Sequence, residues 1–289
     1  MPFLLPLGAA LLYVAGALLV KRSADFGVGV WRTAFISNLT SAAIFQLALP
    51  LGGTIRFDLL WQPALVGVLF LLGQLLNYLA LQRGDVSVAT PVLGVKIILV
   101  AFFTTLLLAQ SVSVKLWIAA ALSSAAIALL GQAGGVKHHH VGRTILFAGS
   151  SASMFALFDV LVQKWSPAWG AGRFIPVMVG FVAVFSAVLI PFFHAPLRAV
   201  SRAAWPWLMG GCLFIGTQSL LFVITVAKFR NATAANVIYS SRGLWSVVAV
   251  WVVGHWFSNR ERHLATAVLR WRLAGAILLM FAIALVVLG

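Results

Sequence analysis

Apolar residues run along this chain in long unbroken stretches separated by short polar punctuation, and the pattern recurs ten times. The stretches cover about 3–20, 30–50, 62–82, 86–109 and 115–131, then about 144–163, 174–193, 205–227, 232–255 and 272–288. Most approach the roughly 20 residues that a helix needs to cross a bilayer. The runs are continuous instead of alternating, which argues against the short spans of a membrane β-barrel. The punctuation is helix-breaking chemistry: Pro50-Leu51-Gly52-Gly53, Arg83-Gly84-Asp85, Gln110-Ser111, Ser166-Pro167, Ala195-Pro196 and Phe229-Arg230-Asn231. The pattern predicts an all-α integral membrane protein with ten transmembrane helices. The first stretch reads as a retained helix and not a leader, because Lys21 and Arg22 follow it instead of preceding it.

The longest polar interruption before the last helix, 132–143, falls near the midpoint of the chain. It divides the sequence into a five-helix unit over 1–131 and a second over 144–289. The units echo one another. Lys21-Arg22-Ser23-Ala24-Asp25-Phe26-Gly27 after helix 1 resembles Lys164-Trp165-Ser166-Pro167-Ala168-Trp169-Gly170 after helix 6. Asp85-Val86-Ser87-Val88-Ala89 opening helix 4 resembles Asn231-Ala232-Thr233-Ala234-Ala235 opening helix 9, and the same offset carries Lys96 onto Arg242. Five is odd, so the second unit must enter the membrane with inverted topology, an arrangement that places binding sites between the repeats.

Composition adds little to the class and much to the chemistry. The chain is 62% hydrophobic and 9% charged, with 20 Lys and Arg against 5 Asp and Glu. In a soluble protein a net charge of +15 would suggest nucleic acid; here it reads as loop charge set by topology and anionic lipid. The expected partners are therefore the lipid bilayer and a small-molecule substrate, not nucleic acid, with the chain acting as a monomer or a homodimer. The location is a cell membrane, multi-pass, with a bacterial inner membrane as the expected case. A single cysteine, Cys212, excludes an intramolecular disulfide framework. His138-His139-His140 has no neighbouring cysteine or carboxylate and reads as an interfacial loop, so neither a metal nor another cofactor is expected.

Lys96 and Arg242 carry the functional reading. Both lie near the middle of a span, where a bare charge costs at least about 3 kcal/mol on insertion scales and usually faces the bundle interior. The acids fall elsewhere in this reading: Asp25, Asp58, Asp85 and Glu261 in connections, and Asp159 near one end of helix 6. Two uncompensated cations facing one cavity form an anion site. Tyr239 and Ser246 share the helical face of Arg242, and Asn236 lies near it. Thr90 on helix 4, Gln74, Asn77 and Tyr78 on helix 3, and Gln218 on helix 8 complete the candidate substrate contacts. Asp159, as a carboxylate inside a span, is a candidate for proton coupling or for an ion pair.

The ten helices, the inverted halves and the stretch Ala89-Thr90-Pro91-Val92-Leu93-Gly94 resemble the drug/metabolite transporter superfamily, in its EamA-type branch. The mid-membrane basic positions on helices 4 and 9 are similar to those of the sugar-phosphate and nucleotide-sugar branches. That resemblance implies that Lys96 and Arg242 hold an anionic substrate. The paired basic residues of the triose-phosphate branch are absent, since Gly243 follows Arg242. Counting Lys and Arg by connection places both termini outside the cytoplasm, whereas relatives of this kind are expected to have them inside.

The function expected from these observations is secondary active transport of a small organic anion, phosphorylated or carboxylated, by alternating access. One alternative is an exporter of amino acids or other zwitterionic metabolites. Another, from a different class, is an integral membrane enzyme acting on lipid-linked anions; no mid-span histidine supplies its acid–base chemistry, so the chain is read as a non-enzyme.

Overall fold

The structure is a computed structural model that describes residues 3–83, 86–130, 141–253 and 266–288. Twelve α-helices account for most of these residues: α1 (Leu4–Ala24), α2 (Val30–Phe45), α3 (Trp61–Arg83), α4 (Val86–Gly94), α5 (Lys96–Leu108), α6 (Val114–Leu130), α7 (Val141–Trp169), α8 (Ala171–Phe185), α9 (Trp205–Phe229), α10 (Ala232–Tyr239), α11 (Arg242–Val253) and α12 (Thr266–Leu288). Among the described residues, seven helical stretches have the length and apolarity of a membrane span. The ten expected helices are borne out, with two of them broken. Helix 4 is α4 plus α5, and helix 9 is α10 plus α11. The His138–His140 triplet, the interval 132–140, Asp85 and Glu261 lie outside the described residues.

The order of elements over 4–130 recurs over 141–288, down to the 3₁₀ turns 46–51 and 186–192 that extend α2 and α8. The packing recurs with it. α1 lies on α9 as α3 lies on α7, α2 lies on α9 as α3 lies on α8, and α6 pairs with α12. Polar side chains join these helices where apolar burial provides no discrimination between protein and lipid. Asn38 of α2 donates to Gln74 of α3 at 3.0 Å and to Ser186 at 2.8 Å. Gln163 of α7 donates to Gln110 at 2.9 Å and accepts from the backbone N–H of Ala232, at the start of α10, at 2.8 Å.

At the junction of α7 and α8, two stretches of backbone pack directly against each other. The turn after α2 meets the start of α8 so closely that a Cβ on Gly53 would stand 2.2 Å from the Trp169 carbonyl oxygen. Gly53 also has φ +116°, which an L side chain rarely adopts. Thr54 N–H donates to the Trp169 carbonyl at 2.8 Å, and the buried Trp169 indole donates to Gln62 at 3.1 Å. Gly53→Ala combines a disfavoured backbone angle with overpacking. It should destabilise the protein by about 2 kcal/mol or more, read as a lower melting temperature in detergent.

Candidate functional site

Both broken helices break immediately before a cation. In the first, Gly94 fits only because it lacks a side chain: a Cβ there would lie 2.9 Å from Ile127 Cγ2. The Ser124 hydroxyl of α6 donates to the Gly94 carbonyl at 2.9 Å, competing for an acceptor that a continuous helix uses internally. The chain turns at Val95, and Lys96 becomes the first residue of α5. In the second, the Ser240 hydroxyl donates to the Val237 carbonyl, and Ser241 N–H turns to the Ile238 carbonyl at 3.1 Å. Arg242 becomes the first residue of α11. Each cation thus sits at a segment N-terminus, where the helix dipole already favours an anion.

Between the two breaks lies a cavity of about 500 Å³. Lys96, Arg242, Tyr239, Ser246, Asn77, Gln218 and Asp159 all line it, together with Tyr13, Asn38 and Ser41, which the sequence did not single out. Asn236 is buried behind this wall, and Gln74 and Tyr78 also lie outside it, Gln74 bonded to Asn38 and Tyr78 against the Trp31 ring. Thr90 belongs to α4, and its side chain lies outside the described part of the structure.

The two cations have different surroundings. Lys96 Nζ lies 2.8 Å from Asp159 Oδ2, with the side chains 19% and 2% exposed. Asn236 donates to the same carboxylate oxygen at 2.7 Å and to the Ala232 carbonyl at 2.9 Å. Lys96 also stands over the rings of Phe155 and Phe222, at 5.9 and 5.5 Å from their centroids. The expectation of two uncompensated cations is therefore corrected. Helix 6 does not end near 163. It runs as α7 for 29 residues to Trp169, which puts Asp159 well away from the helix end, paired with Lys96.

Arg242 has no carboxylate partner among the described residues. Its Nη1 donates to the Tyr239 hydroxyl at 3.1 Å, and that hydroxyl donates to Gln218 Oε1 at 2.8 Å. The guanidinium carbon lies 4.6 Å from the ring centroids of both Tyr13 and Tyr239. Aromatic faces on α1 and α10 hold the cation without neutralising it. One side-chain hydrogen bond uses one of five N–H donors, which leaves the fork able to take a ligand. Tyr13 and Gln163 were missed as single residues in apolar runs. Gln163 was nevertheless legible, four residues beyond Asp159 and so on the same helical face.

Residues 1–132 match the model of the EamA-like transporter family. No curated protein matches the chain in sequence. One solved crystal structure superposes with a TM-score of 0.74 over 99% of this chain and 96% of its own, at 15% identity. That likeness shows the fold. The family match bears out the resemblance to EamA-type transporters of the drug/metabolite transporter superfamily.

Proposed function

We propose that this chain, a multi-pass membrane transporter of the drug/metabolite transporter superfamily, carries a small organic anion by alternating access. The observation that carries this reading is Arg242, a cation without a carboxylate partner among the described residues, facing a cavity large enough for a metabolite. The halves 1–131 and 144–289 act as inverted repeats that rock about the cavity, a reading supported by the recurrence of elements and of their pairings. The proposed location is a bacterial inner membrane. Asp159 serves as the fixed counter-charge of Lys96 rather than as a proton carrier, because Lys96 and Asn236 both hold its carboxylate.

Two other readings are weaker on the same geometry. Export of a zwitterion requires its ammonium to displace Lys96 from Asp159. An integral membrane enzyme requires an acid or base free to exchange protons, and Asp159, the carboxylate at this cavity, is already paired.

The test is counterflow. Purified protein in liposomes preloaded with unlabelled organic carboxylates and phosphates should concentrate the matching labelled compound, unchanged, while empty liposomes do not. A recovered compound that is chemically altered indicates the enzyme; absence of exchange for every anion ends the carrier reading. Within this assay Tyr239→Phe should weaken apparent affinity about tenfold, because it removes a hydrogen bond to a charged group while the ring still supports Arg242.

A further inference from the structure

Resting on the reading of this cavity as the carrier site, we infer that its substrate is a monocarboxylate with an apolar, ring-sized body. The first argument is a charge count. Asp159 cancels Lys96 at 2.8 Å, so among the described residues the cavity presents one net positive charge, on Arg242. A phosphate monoester dianion brings one charge more than Arg242 neutralises, in a setting where water does little to screen the excess. A zwitterion brings an ammonium group whose natural partner, Asp159, is 2% exposed and already bound by Lys96 and Asn236. Two of the phenylalanine rings on the cavity, Phe155 and Phe222, are already taken by Lys96. A neutral molecule leaves Arg242 without an anion. One negative charge and no positive one is the combination that closes the count.

The second argument is shape and surface. The Arg242 guanidinium stands 4.6 Å from the centroids of two tyrosine rings set at 77° to each other, and it keeps N–H donors beyond the one given to Tyr239; a planar pair of such donors matches the two oxygens of a carboxylate. Much of the remaining lining is apolar: Phe70, Phe158, Met178 and Val223 come from four helices, α3, α7, α8 and α9. A body without polar groups leaves none of its own unsatisfied there.

The test is binding to the full chain in nanodiscs near pH 7.5, where a phosphate monoester with a second pKa of about 6 is mostly a dianion. Four probes are compared by calorimetry and thermal shift: phenylacetate, acetate, phenyl phosphate and phenylalanine. Phenylacetate should bind at least about tenfold more tightly than acetate, because the ring is buried, and at least about tenfold more tightly than the other two. Arg242→Gln should remove phenylacetate binding, and Arg242→Lys, which keeps the charge and loses the fork, should weaken it about tenfold. Preference for phenyl phosphate or phenylalanine overturns the charge count and leaves the carrier reading standing. Equal binding of acetate and phenylacetate overturns the apolar body. If none of the four binds, the inference falls, while counterflow with the wider panel decides the carrier reading separately.

Discussion

Asp159→Asn is expected to lower the stability of the protein by about 3 kcal/mol, far more than an average substitution. The carboxylate it removes is the counter-charge of Lys96 at 2.8 Å, and Asn236 cannot replace it, being a donor to the same oxygen. Lys96 would then stand as a buried cation with only two aromatic faces for company. The figure lies at the low end for breaking a buried pair because Lys96 keeps 19% exposure toward the cavity. Lys96→Met should cost at least as much, since it strands the more deeply buried partner. Lys96→Met combined with Asp159→Leu should recover most of the loss, because no charge is then left without a partner. Thermal unfolding of the parent, Lys96→Met, Asp159→Leu and the double variant in one detergent closes this cycle. Additive losses would mean that the two residues do not depend on each other.

Arg242→Gln is expected to do the reverse. It should leave the melting temperature within a few degrees of the parent and abolish transport, with at least about a hundredfold loss of exchange. The guanidinium has no carboxylate to strand among the described residues, so its removal exposes no opposite charge. An anion held by a charge-assisted pair in a partly dry cavity loses about 3 kcal/mol or more when the cation goes, which is the hundredfold. Retained exchange in this variant would place the anion elsewhere. A collapse of folding would show that Arg242 holds Tyr13 and Tyr239 together instead of waiting for a ligand.

The contrast between these variants was not legible in the sequence, although the residues were. Ten apolar runs identified ten helices because hydrophobic length is what a bilayer requires, and mid-span position singled out Lys96 and Arg242 because charge there is costly. An ion pair at Asp159 was one of the readings the sequence left open, and Ser166-Pro167 obscured which one holds. Read as a breaker, that dipeptide ended helix 6 early and put Asp159 at an interface. In the structure Pro167 lies within the last turn of α7 and the helix continues to the buried Trp169. A proline costs the helix its own bond back to the carbonyl four residues earlier without having to end it, and here only two helical residues follow. The breaks before Lys96 and Arg242 were also hidden. At them Ser124, from another helix, takes the Gly94 carbonyl, and a serine turns back on its own backbone at Val237. Composition reports that such hydroxyls exist, and only the packing shows which carbonyl they take.

The Lys96–Asp159 pair also sets a condition on biosynthesis. Lys96 leaves the ribosome 63 residues before Asp159, so at about 5–20 residues per second it waits for roughly 3–13 s without its carboxylate. Through that interval the insertion machinery must accept a lysine inside a span at about 3 kcal/mol. The segment supplies its own compensation. α5 holds nine Ile, Leu, Val and Phe residues in KIILVAFFTTLLL, and at about 0.3–0.6 kcal/mol each they return about 3–5 kcal/mol. The extreme greasiness of α5 is thus a property of the nascent chain as much as of the finished bundle. Diluting it with alanine would produce little change in a protein already assembled, and a shortage of protein that ever reaches the membrane.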